Sequence, residues 1–326
     1  MNKEYIVGID IGGTNFRIGA VNLSGEIFDI KVMRSNFLSS GGDAVITLAK
    51  NVEEYISCFE GTVLGVSVGI PGSISKDKKW SYSVPNITDK DGKHVFDNRN
   101  IVNEMQNLLN IPVFINKDVN NLLEYDMIIH DLRGEKVIVG CYIGTGFGGS
   151  ICMNGKFLHG KNGVANEIGH IPFFKSQLVC SCGKRACAEC YASGKALSIL
   201  REEHYPETHI GDLFTEHGRD VRIIDFVEAC ALPIATEINI FDPDCVIIGG
   251  GVINMNHFPR ERLIEFILEN TRKPYPAENI KILFSKQCDN MGVVGAAVYA
   301  MDEMNIEFTN RMAENIKEYT KIKETQ

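Results

Sequence analysis

The chain has 326 residues, 44% of them apolar, and a formal net charge of −9, so it can bury a sizeable core, two domains are the default, and the charge argues against a nucleic-acid surface. No apolar stretch approaches the ~20 residues that span a bilayer, and no early apolar run has a basic flank and a cleavage site, so neither a membrane span nor a signal peptide is expected. Ten cysteines without an export signal imply a reducing compartment with free or metal-bound thiols, and the expectation is a soluble cytoplasmic protein.

The segment Tyr5 to Asn22 holds two β-rich runs on either side of Gly12-Gly13-Thr14. That pattern predicts a tight hairpin, whose glycines let backbone N–H groups approach phosphate oxygens. Asp10, at the strand end, is placed to hold Mg²⁺ directly or through water; an ordinary Asp-Gly turn is the plainer alternative. Glu26 to Met33 reads as a third strand, Asp43 to Cys58 as an amphipathic helix, and Val63 to Val68 as a buried strand ending in Gly69-Ile70-Pro71-Gly72. Ser73 to Ser83 reads as a charged surface hairpin with the only tryptophan, Trp80, followed by Pro85-Asn86, where Asn86 alone is a turn former. A helix over Asn98 to Leu109 and a strand over Ile111 to Ile115 lead to Asn116-Lys117-Asp118-Val119-Asn120 and a helix carrying Glu124. Asp118 stands where strand hands over to helix, a frequent place for catalytic groups in α/β folds and equally a capping position.

Val137 to Ile143 is a predicted strand running into Gly144-Thr145-Gly146-Phe147-Gly148-Gly149. This matches a dinucleotide fingerprint formally, with Glu167 about twenty residues on, but that fingerprint requires a helix next. Ser150 to Met153 reads as a strand and Asn154-Gly155 as a hairpin turn, so the better reading is a second phosphate hairpin that echoes the first. Next come Glu167-Ile168-Gly169-His170 and, after nine residues, Cys180-Ser181-Cys182-Gly183-Lys184-Arg185-Ala186-Cys187-Ala188-Glu189. Three thiols and an imidazole are a structural zinc set, and Gly183 can take the left-handed backbone that lets two sulfurs approach one metal. Disulfides and small buried hydrophobes are the plainer readings; Cys190 competes with His170 as fourth ligand, and His170 is favoured because Cys190 falls at the next helix. Glu167 and Glu189 flank the knot and are left over for recognition.

Helices follow at Ala192 to Glu203 and Arg222 to Asn239, the second with a kink or break expected at Pro233, and residues 205–220 read as an irregular surface excursion. Asp244 to Ile248 is a strand ending in Gly249-Gly250-Gly251; Arg260 to Asn270 is a helix, Ile280 to Phe284 a strand, and Gly292 to about Met304 a helix with a small-residue face. The charged end of the chain is either an exposed helix or a frayed tail.

Glu167-x-Gly169-His170 followed by Cys180-x-Cys182-Gly183, Cys187-x-Glu189 and Ser193 resembles the signature of the ROK family (repressor, open reading frame, kinase), whose enzymes are ATP-dependent sugar kinases. The one departure within the signature is Ala186, where the family usually has glycine. The resemblance implies an α/β, actin-like ATPase (duplicated RNase H-like) fold of two domains with a cleft, residues 1–117 plus about 290–326 and residues 118–289. It implies that Gly12, Gly13, Thr14, Thr145 and Gly146 hold ATP phosphates, that Gly249, Gly250 and Gly251 suit its adenosine part, and that Asp10 serves Mg²⁺. Asp118 then matches the general base, and Gly69, Pro71, Asn86, Glu167, His170 and Glu189 line the sugar site. Structural zinc falls to His170, Cys180, Cys182 and Cys187, and a homodimer is implied by resemblance alone.

Lys117 replaces the asparagine that usually helps bind sugar hydroxyls, so it bears on substrate; a surface salt bridge is its plainer role. Together with Ser75 to Lys78, Gly163 to Pro172, and Ile240 through Gly251 to Arg260, it is similar to D-allose-phosphorylating members of the family, which implies transfer to the 6-hydroxyl of D-allose. A glucose, N-acetylmannosamine or N-acetylglucosamine kinase is the alternative within the family, and a sugar-binding sensor the alternative outside enzymes. Repressors of the family carry a DNA-binding domain ahead of the first phosphate motif; with nine residues before Asp10 and a negative charge, that reading is set aside.

Overall fold

The computed structural model describes residues 3–173, 178–286 and 288–324. Period-two burial sets the first sheet. In β1 (Glu4–Ile11), Tyr5, Val7, Ile9 and Ile11 pack into one core, whereas Ile6 enters a second core on the opposite face. β1 turns through the glycine hairpin into antiparallel β2 (Asn15–Asn22), which pairs with β3 (Ile27–Arg34). α1 (Ala44–Ile56) starts at Asp43, whose carboxylate accepts from the N–H groups of Val45 and Ile46. It buries Val45, Leu48, Val52 and Tyr55 at helical spacing, each worth roughly 1.5–3 kcal/mol of removal from water. β4 (Thr62–Ile70) runs parallel to β1, and a small hairpin, β5 (Ser73–Ile74) with β6 (Ser81–Ser83), follows. α2 (Ile101–Leu109) is capped by the Asn100 side chain, three residues later than the sequence placed its start; Asn98 has a left-handed φ of 53° and cannot continue a helix. β7 (Val113–Lys117) lies parallel to β4 and feeds α3 (Asp118–Ile129).

The second sheet repeats this plan. β8 (Val137–Ile143) turns into β9 (Phe147–Met153), which pairs with β10 (Lys156–Phe157) through Asn154 and Gly155, both at positive φ as a tight hairpin requires. After α4 (Gly194–His204), α5 (Leu213–His217) and α6 (Val221–Phe241), strand β11 (Cys245–Gly249) joins β8 in parallel. α7 (Arg260–Glu269) precedes β12 (Lys281–Phe284), parallel to β11. The chain ends in α8 (Met291–Glu303) and α9 (Asn310–Glu324). The strand orders, β3-β2-β1-β4-β7 and β10-β9-β8-β11-β12, are the same antiparallel meander joined to parallel strands, twice over. This is the duplicated RNase H-like, actin-like ATPase fold.

The chain forms two compact units. The first takes the described residues through Arg133, the segment His159–Ala165 and those from Cys288 on, so α3 stays with the strand that feeds it; the second takes Gly134–Leu158 and Asn166 to residue 286. In the first unit α8 crosses β1 and α3 at backbone contact. A β-carbon on Gly8 would strike the Val293 carbonyl, and one on Gly295 the backbone of Asn121. Two sequence expectations change. Residues 205–220 are ordered by a turn at Ile210–Asp212 and by α5, which buries Leu213 and packs Phe214 on Phe226 and Phe258; five residues are too few to show helical periodicity. α6 runs through Pro233 without a break, because it buries Ile223, Phe226, Val227, Cys230, Ile234 and Ile238, which outweighs the ~3 kcal/mol cost of an interior proline. Among the described residues no helix is long and apolar enough to cross a membrane.

Candidate active site

In the first unit the strand register aligns candidate residues at the carboxyl edge of the parallel strands, where open α/β sheets bind ligands. Asp10 pairs with Gly69, Gly69 with Asn116, and Ile70 with Lys117. Asp10 faces α8, where a β-carbon on Gly292 would lie 2.5 Å from its carboxyl carbon. Burial raises its pKa and Arg17 pulls it back, donating to the carboxylate at 3.3 Å while its Nε reaches Asp289 at 3.3 Å. The loop Gly12-Gly13-Thr14 turns two of its carbonyls to Ser35, whose hydroxyl donates to Gly12 (2.6 Å) and whose N–H donates to Thr14 (3.0 Å). Gly13 lies against Asn86, within 3.3 Å of that Cβ for any added methyl, so the hairpin and Asn86 come together. Pro71 is buried just beyond β4.

Asp118 opens α3 half-buried, its carboxylate accepting from the N–H of Val119 at 2.8 Å. The positive end of the helix dipole favours a carboxylate there. Gly69 gives it room: a methyl at 69 would fall 2.6 Å from the Asn121 amide and 3.6 Å from the Asp118 Cα. A buried network fixes the start of α3. Asn116 donates to Asn121 (2.8 Å) and accepts from the Lys117 N–H (3.0 Å) and the Asn120 amide (3.0 Å). Lys117 is 4% exposed, not on the surface, and its ammonium donates to the Ala165 carbonyl at 3.3 Å.

In the second unit the hairpin Gly144–Gly146 is closed by a Gly144 N–H to Gly146 bond (3.0 Å). It is seated on the first turn of α4, through N–H groups of Gly194 (to Gly144, 2.7 Å) and Lys195 (to Thr145, 3.2 Å). Glu189 accepts from the Phe147 N–H at 2.9 Å, and any side chain at Gly146 would collide with its carboxylate. Thr145, Gly146 and Glu189 are thereby one assembly. Gly249 ends β11 beside Tyr142, and Gly250, at φ 98°, presses on the Ile143 backbone, so Gly249, Gly250 and Gly251 lie beside this hairpin. A strand, not a helix, follows the glycines, which removes the dinucleotide reading.

Glu167 leads a short turn, Ile168–His170, that docks on β9; a β-carbon at Gly149 would sit 2.7 Å from the Asn166 amide and 2.8 Å from Ile168. One ligand atom each from His170, Cys180, Cys182 and Cys187 lies within 4.8 Å of the others, with Cys180 Sγ to His170 Nδ1 and Cys182 Sγ to Cys187 Sγ both at 3.6 Å. Tetrahedral zinc with ~2.3 Å bonds sets sulfurs about 3.8 Å apart, so these side chains fit the ion as they stand. Cys190 is not among the four, and all ten cysteines are free thiols. His170 turns its Nδ1 to the thiols and its Nε2 toward Glu167, 3.9 Å away. Gly183 has the expected left-handed φ (85°), and Ala186 takes one too (58°), a conformation suited to glycine. Sequence reasoning passed over Arg17 and the asparagine network; spacing of i, i+4 and i+5 across the start of a helix was the available signal for Asn116, Asn120 and Asn121.

The ROK family profile matches residues 6–303, and the chain belongs to that family. It is 28% identical over 326 aligned positions to a glucokinase of Thermotoga maritima, covering 91% of this chain and 97% of the relative. It is 30% identical to an N-acetyl-D-glucosamine kinase of Vibrio cholerae serotype O1, covering 89% and 97%. In three dimensions it resembles the ROK glucokinase of Streptomyces griseus solved with glucose and AMPPNP (TM-score 0.72, 23% identity, 90% of this chain and 98% of that one).

Proposed function

We propose that the chain is an ATP-dependent hexose kinase transferring a phosphoryl group to the sugar 6-hydroxyl. The observation that carries this reading is the meeting, at one sheet edge, of the Gly12–Thr14 hairpin, Asn86, Gly69 and an acid opening a helix, Asp118. Such transfer needs positioning and charge stabilisation. MgATP supplies the phosphoryl group. Asp118 accepts the proton of the attacking hydroxyl. Gly12, Gly13 and Thr14, and also Thr145 and Gly146, hold phosphates by their backbone, and Asp10 would hold Mg²⁺ directly or through water. Gly249–Gly251 border the adenosine, and Gly69, Pro71, Asn86, Glu167, His170 and Glu189 bind sugar. Zinc held by His170, Cys180, Cys182 and Cys187 is structural, and its role is to fix the His170 ring for its neighbours.

Two relatives bear the names glucokinase and N-acetyl-D-glucosamine kinase, which supports a hexose acceptor and keeps glucose and the N-acetylhexosamines as the second reading. Among hexoses we assign D-allose, which differs from glucose in configuration at C3, on the segments around Lys117 and Gly163 to Pro172. ADP release from MgATP, measured with D-allose, D-glucose, N-acetyl-D-mannosamine and N-acetyl-D-glucosamine, tests both levels. Highest turnover on allose is expected; highest turnover on another hexose keeps the kinase and discards allose; no sugar-dependent turnover overturns the kinase. An allose preference unchanged in Lys117→Asn removes Lys117 from substrate choice.

A further inference from the structure

Asn166 stands immediately before Glu167 and holds a left-handed φ of 58°. Oriented to satisfy both neighbours, its amide donates to the two carboxylate oxygens of Glu237 at 2.7 and 3.2 Å and accepts from the N–H of Ser150 at 3.1 Å. One side chain thus ties the start of the Glu167–His170 turn to β9 on one side and to α6 on the other. Two glycines are cut to this fit: Gly149 leaves space for the Asn166 amide, and Gly169 lies against the Phe147 carbonyl. Glu237 is 6% exposed, and burial pushes its carboxyl up to about 7, so its charge is costly unless donors face it. The Cys141 thiol on β8 is held well above its ordinary range by burial and by the Glu237 charge. The roles drawn above for substrate, nucleotide and metal leave Glu237 without a task.

We infer that Glu237 is a positioning residue for the hexose-binding turn: acting through Asn166, it fixes the backbone of Glu167–His170. The inference rests on the kinase reading for what the turn binds, but the tether itself is independent of it. A hydrogen bond to a buried charge is worth enough that its loss is read as a tenfold or larger change. Glu237→Gln turns an NH₂ group or a single acceptor toward Asn166; Asn166→Gly removes the amide and suits the φ of 58°. Asn166→Asp sets two carboxylates together. Combined with Glu237→Gln, it restores the pattern, because the new amide at position 237 then donates to the new carboxylate at position 166, which still accepts from the Ser150 N–H.

The test measures amide hydrogen exchange at 167–170 in the purified full chain, and the KM values for hexose and ATP. Both Glu237→Gln and Asn166→Gly are expected to speed exchange there and to raise the hexose KM about tenfold, with the ATP KM and kcat unchanged. The Asn166→Asp, Glu237→Gln double variant is expected to recover most of both. Unchanged exchange at 167–170 in the single variants, or a double variant no better than the worse single, overturns the inference. A wild-type chain without hexose turnover would sink the kinase reading and leave the exchange measurement to decide the tether.

Discussion

Asp118 stands on a turn that its neighbours fix. Its carboxylate accepts from the N–H of the next residue, while the Asn116 side chain bonds those of both Asn120 and Asn121. An asparagine at 118 keeps that geometry and loses basicity. Asp118→Asn is therefore expected to lower kcat by about 10² to 10⁴ while hexose binding, measured by calorimetry, stays intact; near-normal turnover would remove Asp118 from the proton transfer. The acid and its place at a strand-to-helix junction were legible in the sequence. The support was not, because the three asparagines meet only when strand and helix share one buried corner. Lys117 shows the same limit: its type and position were readable, its burial against the Ala165 carbonyl was not.

At the scale of elements, both glycine hairpins were legible, since two β-rich runs around a short glycine turn leave little choice. The stretch from Glu167 to Glu189 was legible as chemistry, though hardly as structure. Among its described residues it has two short turns and isolated bridges, Pro172 with Cys187 and Val179 with Arg185, and the ligand atoms of its His170, Cys180, Cys182 and Cys187 lie within 4.8 Å of one another. We expect about one zinc per chain by elemental analysis. Cys182 is exposed, so Cys182→Ala leaves the core intact; it is expected to lose the metal, lower the Tm and weaken hexose binding. A metal-free wild-type chain with the same Tm and affinity would exclude the structural zinc. α5 and the unbroken α6 mark where local reading fails, since packing on Phe226 and Phe258 outweighs weak periodicity and an interior proline.

Across the whole molecule, one topology is used twice, and the first unit is completed by the last two helices of the chain. A buried group records that closure. Glu124 on α3 lies 3.3 Å from Arg133 Nε, and Arg133 reaches Asp302 on α8 at 3.0 Å. Burial pushes the Glu124 carboxyl up from 4.5 to about 7; Arg133 lowers it and Asp302 adds to the rise. The folded chain therefore keeps a proton that the unfolded chain releases, so this group's contribution is full below 4.5 and falls as pH rises toward 7. Glu124→Gln should gain on the wild type in denaturant midpoint between about pH 5 and pH 7.5. A gap that does not change with pH would show that Glu124 does not titrate in that window.

The sequence by itself determined the elements whose cause is local: alternating strands, the two glycine hairpins, the Cys/His set that could hold a metal, and the acid at the start of a helix. Backbone conformation and side-chain chemistry within a few residues specify these. Tertiary structure decided what depends on residues far apart in the chain: the asparagine corner behind Asp118, the burial of Lys117, the helix that tolerates Pro233, and the tether from Glu237 to Asn166. Desolvation and close packing set each of these, and both depend on which distant surfaces the fold brings into contact.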